Sequence, residues 1–391
     1  MELRVERDAL ADAVVWTARS LPARPPMQVL LGLLLEVTAG PDGALEISGF
    51  DYEVSSRVRL EASADEPGRV LVPGRLLADI VRSLPAQPVD LEVQGSRVVL
   101  TCGPARFTLP TLPVEDYPTL PAMPGTAGTL GSDVFAAAVA QVALAAGRDD
   151  TLPVLTGVRF EIEQDTLTLA ATDRYRLAVR TLPWRPVDTD VSRTALVPAR
   201  TLSETARALT AGPEVTLALS PSGGSGAEGM IGFEGAGRRT TSRLLEGEFP
   251  KYRSLLPSES TAVAEVATAP FAEAVKRVAL VAARNAPVRL GFSADGVVLE
   301  AGGADDAQAS EQLECSWEST GAGTPDGEPF SIAFNPQYLL DGLGAVDSDT
   351  TTLSFTGPTR PAVLTGKREA DATSGTPAEY RYLLMPVRLS G

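Results

Sequence analysis

The chain of 391 residues contains no histidine. That excludes Ser-His-Asp and Cys-His catalysis and any imidazole ligand to a metal. Its two cysteines, Cys102 and Cys315, are far apart and match no CxxC spacing. They cannot make a zinc site by themselves, and so low a content fits a reducing compartment rather than a disulfide scaffold. Lysine is scarce: Lys251, Lys276 and Lys367 are the whole complement. No GxxxxGK[ST] phosphate loop is present, so an ATP-driven step would have to come from another protein. No apolar run reaches the roughly 18 residues of a membrane span. The first residues, MELRVERDAL, lack the apolar core of a signal peptide. These features point to a cytoplasmic protein without membrane contact. The adjacent acid pairs Glu115/Asp116 and Asp149/Asp150 direct their side chains apart in an extended segment and make no shared acid–base site. An enzyme working through them is the weakest reading, and no cofactor, metal or catalytic residue is expected. The net charge of −16, taken whole, argues against a nucleic-acid partner.

What is present is ordinary globular material, 44% hydrophobic and 21% charged, enough for cores in two or three domains. The chain repeats itself three times with a period of about 130 residues. Each unit opens on an amphipathic helix, expected over Glu6–Ser20, Ser132–Arg148 and Ala269–Arg284, with Ser132 as an N-cap and Pro270 at a helix start. Alternating strand pairs follow, with Gln164-Asp165 and Asp295-Gly296 marking hairpin turns. A second helix comes 69, 67 and 66 positions after the first. It is introduced by VLVPGR in unit one, ALVPAR in unit two and IAFNPQ in unit three, where Asn335-Pro336 supply cap and first turn. More strands close each unit. The expected fold class is α+β, three repeated domains of two helices plus antiparallel sheets each, with boundaries giving domains 1–124, 125–259 and 260–391. The tracts 221–229 and 319–328 read as exposed loops.

Four segments carry a resemblance that spans the chain. They are Leu21-Pro22-Ala23-Arg24-Pro25, Ala171-Thr172-Asp173-Arg174-Tyr175-Arg176-Leu177-Ala178-Val179, Phe249-Pro250-Lys251-Tyr252-Arg253 and Leu384-Met385-Pro386-Val387-Arg388-Leu389. In this order, within a threefold repeat, they resemble the bacterial beta sliding clamps, the beta subunit of DNA polymerase III. The resemblance implies a crescent of three domains, two of which close head to tail into a homodimeric ring. Helices line the hole, and strands form a continuous outer scaffold. Such a ring encircles double-stranded DNA as a non-catalytic processivity factor. It also receives short peptides, with a Gln and two apolar anchors, from the replicative polymerase alpha subunit, the clamp loader and other clamp-motif proteins.

Carried over residue by residue, the resemblance implies a peptide-binding pocket of Leu155, Thr172, Arg174, Arg176, Leu177, Val179, Pro250, Leu255, Asn335, Tyr338, Pro361, Leu383, Met385, Pro386, Val387 and Arg388. Met385 suits a hub that accommodates partners of different shape. Arg174 and Tyr175 stand where other members often have Gly and His, and the polar segment Lys367–Tyr380 lies near enough in sequence to affect pocket access. For the ring interface the family pattern points to Phe107, in the strand Arg106–Leu109, meeting Leu280 and Val281.

A ring also makes a demand on charge that can be read from the residues. The six expected helices, taken over 6–20, 75–84, 132–148, 199–210, 269–284 and 335–346, sum to +2, leaving −18 on the remainder. A sliding ring needs sparse, phosphate-directed, sequence-blind contacts. Arg24 is the first candidate, because the family places a DNA-contacting Arg in that loop. Arg75, Arg82, Arg148, Arg200 and Arg207 are further DNA-binding candidates. Two alternatives stay open: a specialised second clamp, for example one conferring resistance to a clamp-directed inhibitor, and a clamp-derived peptide-binding protein that no longer encircles DNA.

Overall fold

In a computed structural model of the chain, the described residues are 1–40, 43–64, 66–190, 192–220, 229–283, 286–303, 307–320, 330–367 and 379–388. Among them run six α-helices: α1 (Arg7–Thr17), α2 (Gly74–Ser83), α3 (Ser132–Ala143), α4 (Ala199–Ala208), α5 (Thr268–Val278) and α6 (Pro336–Ala345). The strands around them pair antiparallel. The fold is the expected three-domain α+β arrangement. The tracts 221–228 and 321–329, most of Lys367–Tyr380, Arg284 and Leu389 lie outside the described residues.

The first helix of each repeat is shorter than its apolar periodicity suggests. The α-helical ladder stops at Thr17, Ala143 and Val278. The apolar pattern runs on into tighter 3₁₀ turns, Ala18–Ser20 and Ala279–Val281, which satisfy the last carbonyls with short-range bonds. After α3, Ala145 and Ala146 donate to the carbonyls of Val142 and Ala143 in the same way. Arg19 and Arg148 therefore sit beyond their helices. Over the observed bounds, losing Arg19, Arg148, Arg284 and Glu6 takes the helical net charge from +2 to zero. The helices are neutral rather than weakly basic, still set against an acidic remainder.

Helix starts agree in two places and differ in one. Asn335 Oδ1 caps α6, accepting from Gln337 N at 2.9 Å and Tyr338 N at 3.2 Å, with Pro336 in the first turn. Pro270 lies in the first turn of α5. Ser132, expected as an N-cap acceptor, is instead the first residue of α3 and donates its hydroxyl to the Gly212 carbonyl. Both expected hairpins form. Gln164-Asp165 is the two-residue loop between paired Glu163 and Thr166, with Gln164 in the left-handed region. In the third repeat the loop is Ala294-Asp295, and Gly296, at φ 121°, opens the following strand.

The described chain divides into two compact units, and each contains part of the central repeat. Unit one comprises Met1–Ala136, Arg185–Asp188 and Thr201–Leu244. Its nine-stranded sheet joins strands of the first repeat to strands of the central one through Val54–Glu61 and Arg238–Arg243, with Ser56 opposite Thr240. The Ser55 and Thr241 hydroxyls meet at 2.6 Å across that seam. Arg238 reaches from the seam to the Ala208 carbonyl at 2.8 Å, to Asp12 on α1 and over the Trp16 ring at 5.2 Å. Leu10 and Val14 of α1 and Leu77 and Val81 of α2 pack on Leu33, Leu45, Ile47 and Leu100 in one core. Each such fully buried aliphatic side chain contributes about 1.5–3 kcal/mol. A second, five-stranded sheet finishes on Ala105–Pro110.

Unit two comprises Ala137–Trp184, Thr189–Arg200 and Leu245–Gly391. Here Arg176–Pro183 of the central repeat pairs with Glu379–Leu384, the last strand, again making one nine-stranded sheet from two repeats. The helix α6 lies close on that last strand. A Cβ at Gly342 would stand 2.5 Å from the Tyr382 ring, and the Tyr382 hydroxyl donates to the Tyr338 carbonyl at 2.8 Å. A four-stranded sheet, finishing on Ala309–Leu313, completes the unit around the aromatic cluster Phe292, Trp317, Phe330 and Phe355.

Candidate functional site

Period-two alternation gives the strand Arg176–Pro183 two faces. Leu177 and Val179 point into an apolar cluster with Ala170, Leu196, Phe249, Tyr252, Val363 and Leu383. Arg176, one position before Leu177 and buried, goes the other way. Its Nε donates to Asp173 Oδ2 at 2.9 Å, its Nη1 donates to Asp341 on α6, and its guanidinium lies 4.4 Å from the Tyr338 ring centre. Burial works against its charge, but Tyr382, Asp341 and Asp173 outweigh it and hold the proton more firmly than usual.

On the Arg176 side lies a cleft of about 820 Å³. Its walls are the segment after α3 (Ala146, Gly147, Arg148, Asp149, Leu152, Leu155), the turn Asp173–Arg176 and the start of α6 (Gln337, Tyr338, Asp341). The turn is built by side-chain bonds to its own backbone. Asp173 Oδ1 accepts from Tyr175 N at 3.0 Å and Arg176 N at 3.1 Å, and Thr172 Oγ1 donates to the Arg176 carbonyl at 2.6 Å. The tight reversal places Arg174 at φ 79°, a conformation glycine adopts without cost. Tyr175, exposed on the same turn, stacks on Tyr338 with ring centres 6.2 Å apart.

The C-terminal stretch runs past this turn. Met385 N donates to the Tyr175 carbonyl at 2.9 Å and Val387 N to the Ala333 carbonyl at 2.8 Å. Both side chains are nevertheless exposed, Met385 at 41%, so backbone anchoring presents apolar surface to solvent. On the apolar-cluster side, the Phe249–Arg253 turn is tied to the sheet through Glu161. That buried carboxylate accepts from Tyr252 Oη at 2.8 Å, Arg253 Nη2 at 2.6 Å and Arg159 Nε at 2.7 Å. Burial alone would raise its pKa, but the bonds from Arg253, Tyr252 and Arg159 win and hold it below the ordinary value.

The expected pocket residues thus fall into groups. Leu155, Arg174, Arg176 and Tyr338 line the cleft, while Thr172 and Asn335 shape its turn and its helix start. Leu177, Val179 and Leu383 are buried in the apolar cluster. Pro250 is half-buried in the turn before Tyr252, and Leu255 is exposed beyond it. Met385, Pro386, Val387 and Arg388 form the surface stretch, with Arg388 exposed. Pro361 follows the turn Gly357–Arg360 and precedes the strand Ala362–Gly366. The structure adds Asp149, Leu152, Asp173, Gln337 and Asp341 to the cleft and Phe249, Tyr252 and Val363 to the cluster. Asp173 and Phe249 lay inside quoted motifs, whereas nothing in the sequence marked Asp341.

Of the DNA-binding candidates, Arg24 is exposed in the loop after α1. Arg75 on α2 supports that loop, donating to the Pro22 carbonyl at 3.3 Å. Arg82 is paired with Asp79 at 3.1 Å. Arg200 and Arg207 are exposed on α4. Arg148, read as a helix residue, lies past the end of α3 and lines the cleft. Among the proposed interface residues, Phe107 is half-buried in the strand that ends the five-stranded sheet, Val281 is half-buried and Leu280 is 83% exposed. Among the described residues no group of His, Cys, Asp or Glu is placed to hold a metal ion, and no helix is long and apolar enough to cross a membrane.

Three repeats sharing antiparallel sheets, with two helices each, define a sliding-clamp architecture. Comparison with known proteins agrees. Residues 1–121, 129–251 and 253–378 match the N-terminal, central and C-terminal domains of the DNA polymerase III beta subunit. The chain is 60% identical over its whole length and the whole of the relative to the beta sliding clamp of Streptomyces coelicolor. It is 45% identical, over 99% of each chain, to the beta sliding clamp homolog GriR of Streptomyces muensis. A crystal structure of a Pseudomonas aeruginosa sliding clamp bound to griselimycin superposes over 100% of both chains with a TM-score of 0.87 and 27% identity. The chain belongs to the DNA polymerase III beta subunits, the bacterial beta sliding clamps, and its function is that of a DNA sliding clamp in replication.

Proposed function

We propose that three clamp domains, 1–124, 125–259 and 260–391, close with those of a second copy into a homodimeric ring around duplex DNA. The ring carries out no chemistry and confers processivity topologically. Its cytoplasmic partners, the replicative polymerase and the clamp loader among them, dock short segments on the site in unit two. The carrying observation for docking is the pairing of exposed apolar Met385 and Val387 with an adjacent cleft in which buried Arg176 is already paired with two carboxylates. Apolar surface with a few fixed polar groups is what a peptide anchor requires.

Two features support the ring. One sheet finishes on Ala105–Pro110 and another on Ala309–Leu313, edges that closure onto a partner would cover. Leu280, a large aliphatic side chain left almost wholly in solvent, suits a contact with the Phe107 strand of a second copy. For DNA, Arg24 on its Arg75-supported loop is the leading phosphate contact, with Arg82, Arg200 and Arg207 as weaker ones. Neutral helices in an acidic body favour a duplex that slides over one that is gripped. Light scattering tests the assembly: a mass near twice 40.9 kDa is expected, and a monomer at micromolar concentration would contradict the ring.

A further inference from the structure

The repeats can be laid on one another residue by residue. The helices α1 and α5 each run 11 residues and end in a three-residue 3₁₀ turn, so Trp16 and Arg277 hold the same position. Buried Leu10 and Val14 match buried Phe271 and Val275, and Phe135 and Val139 extend that register to Gln141 on α3. The second helices α2, α4 and α6 each run 10 residues, which aligns their last members, Ser83, Ala208 and Ala345.

Both seams within the chain are pinned at these positions. In unit one the Ala208 carbonyl accepts from Arg238 Nη1 at 2.8 Å, and that guanidinium lies over the Trp16 ring at 5.2 Å. In unit two the Ala345 carbonyl accepts from Gln141 Nε2 at 2.8 Å, and the Gln141 carbonyl accepts from Tyr380 Oη at 3.3 Å. A helix end leaves its final carbonyls without intrahelical donors and carries partial negative charge, so a side-chain donor there is favourable.

In the proposed ring the third seam joins α5 of one copy to α2 of the other. The amides of Leu112 and Leu245 donate to the Leu71 and Leu196 carbonyls at 2.8 Å, and seven residues before them stand Ala105 and Arg238. Ala105 therefore puts a methyl group where the first seam has its donor. The α5 side carries Arg277 in place of Trp16 or Gln141. Trp16 is 7% exposed beneath its neighbour, whereas the Arg277 side chain is 55% exposed. Glu311, on the edge strand Ala309–Leu313, accepts from Arg277 Nε at 3.0 Å and holds it at that edge. On the facing side, Leu84 leaves α2 in extended backbone at ψ 147°.

Resting on the ring reading above, we propose that Arg277, steadied by Glu311, donates to the Ser83 carbonyl of a second copy and is the polar pin of the ring-closing seam. The other two seams join repeats of one chain. This one joins separate chains, so its pin bears on how readily the ring parts.

The test measures dimer affinity by sedimentation, and subunit exchange between two fluorescently labelled pools of full-length protein. Arg277→Ala should weaken the dimer and speed exchange by about 10- to 100-fold, the range of a hydrogen bond from a charged donor. Amide exchange within α5 should stay as in the wild type. Arg277→Lys keeps a cationic donor and should recover part of the loss. Ala105→Arg added to Arg277→Ala supplies the donor from the side where Arg238 supplies it in unit one, and should also recover part. Affinity and exchange within about twofold of wild type in Arg277→Ala would overturn this inference alone. So would a loss that neither Arg277→Lys nor Ala105→Arg recovers. Wild-type protein that is monomeric at micromolar concentration would overturn the ring reading, and the inference with it.

Discussion

The Arg176 cluster joins the central repeat to the C-terminal repeat within one unit, and its removal is the sharpest perturbation of the site. Arg176→Ala leaves two carboxylates facing each other without their shared cation, Asp173 with a side chain 14% exposed and Asp341 at 28%. Breaking a buried ion pair costs about 3–5 kcal/mol. Partial exposure of both acids lowers that to about 2–3 kcal/mol, since water screens them. The Tyr338 ring also loses its cation. Global melting is a poor reporter in a chain with several domains. Amide exchange is the better assay, read at α6 and at the Tyr175 and Arg176 amides that Asp173 accepts. Opening should become about 30- to 150-fold more frequent there, with distant amides of unit one unchanged. Arg176→Met combined with Asp173→Asn and Asp341→Leu should recover more than half the loss, because no stranded carboxylate remains. Exchange within threefold of wild type in Arg176→Ala would refute the reasoning.

Met385→Asp should abolish binding of an apolar-anchored peptide by calorimetry while light scattering still reports a dimer, because the residue's backbone, not its side chain, is what the fold uses. Gly342→Ala should destabilise unit two by about 1–3 kcal/mol through the clash with the Tyr382 ring, measured as exchange at α6. Glu161 titrates lower in the folded chain than its ordinary value near 4.5, so its contribution is complete above that value and is lost as pH falls through the depressed one. Protection of the Tyr252–Leu255 turn should therefore fall as pH drops below the ordinary carboxylate value, and Glu161→Gln should be weakened at neutral pH and show no such acid step.

The threefold repeat, the six helices and both hairpins were legible because they depend on local periodicity and turn chemistry. The Val-Pro-x-Arg step and Asn335-Pro336 marked helix starts that the structure keeps. Helix ends were overestimated, since the apolar stripe continues through 3₁₀ turns that periodicity does not separate from α-helix. Ser132 has the right residue type for a cap, yet its hydroxyl is taken by Gly212, 80 positions away. The same distance problem hid half of the cleft. Asp341 meets Arg176 across 165 positions, and α6 gives no sign of the charge it must face. The seams that join repeats into nine-stranded sheets, such as Thr241 with Ser55, are likewise pairings between segments with no local signature. The strain at Arg174 was visible only as a non-glycine residue in a turn-forming motif, and its meaning depends on the φ value that the fold imposes.

A sliding ring should hold DNA by topology rather than by affinity. Loading the protein onto closed circular DNA with its loader and then cutting the circle tests that most directly. Retention on the circle and prompt loss after linearisation is the predicted result, and equal retention on both forms would contradict it.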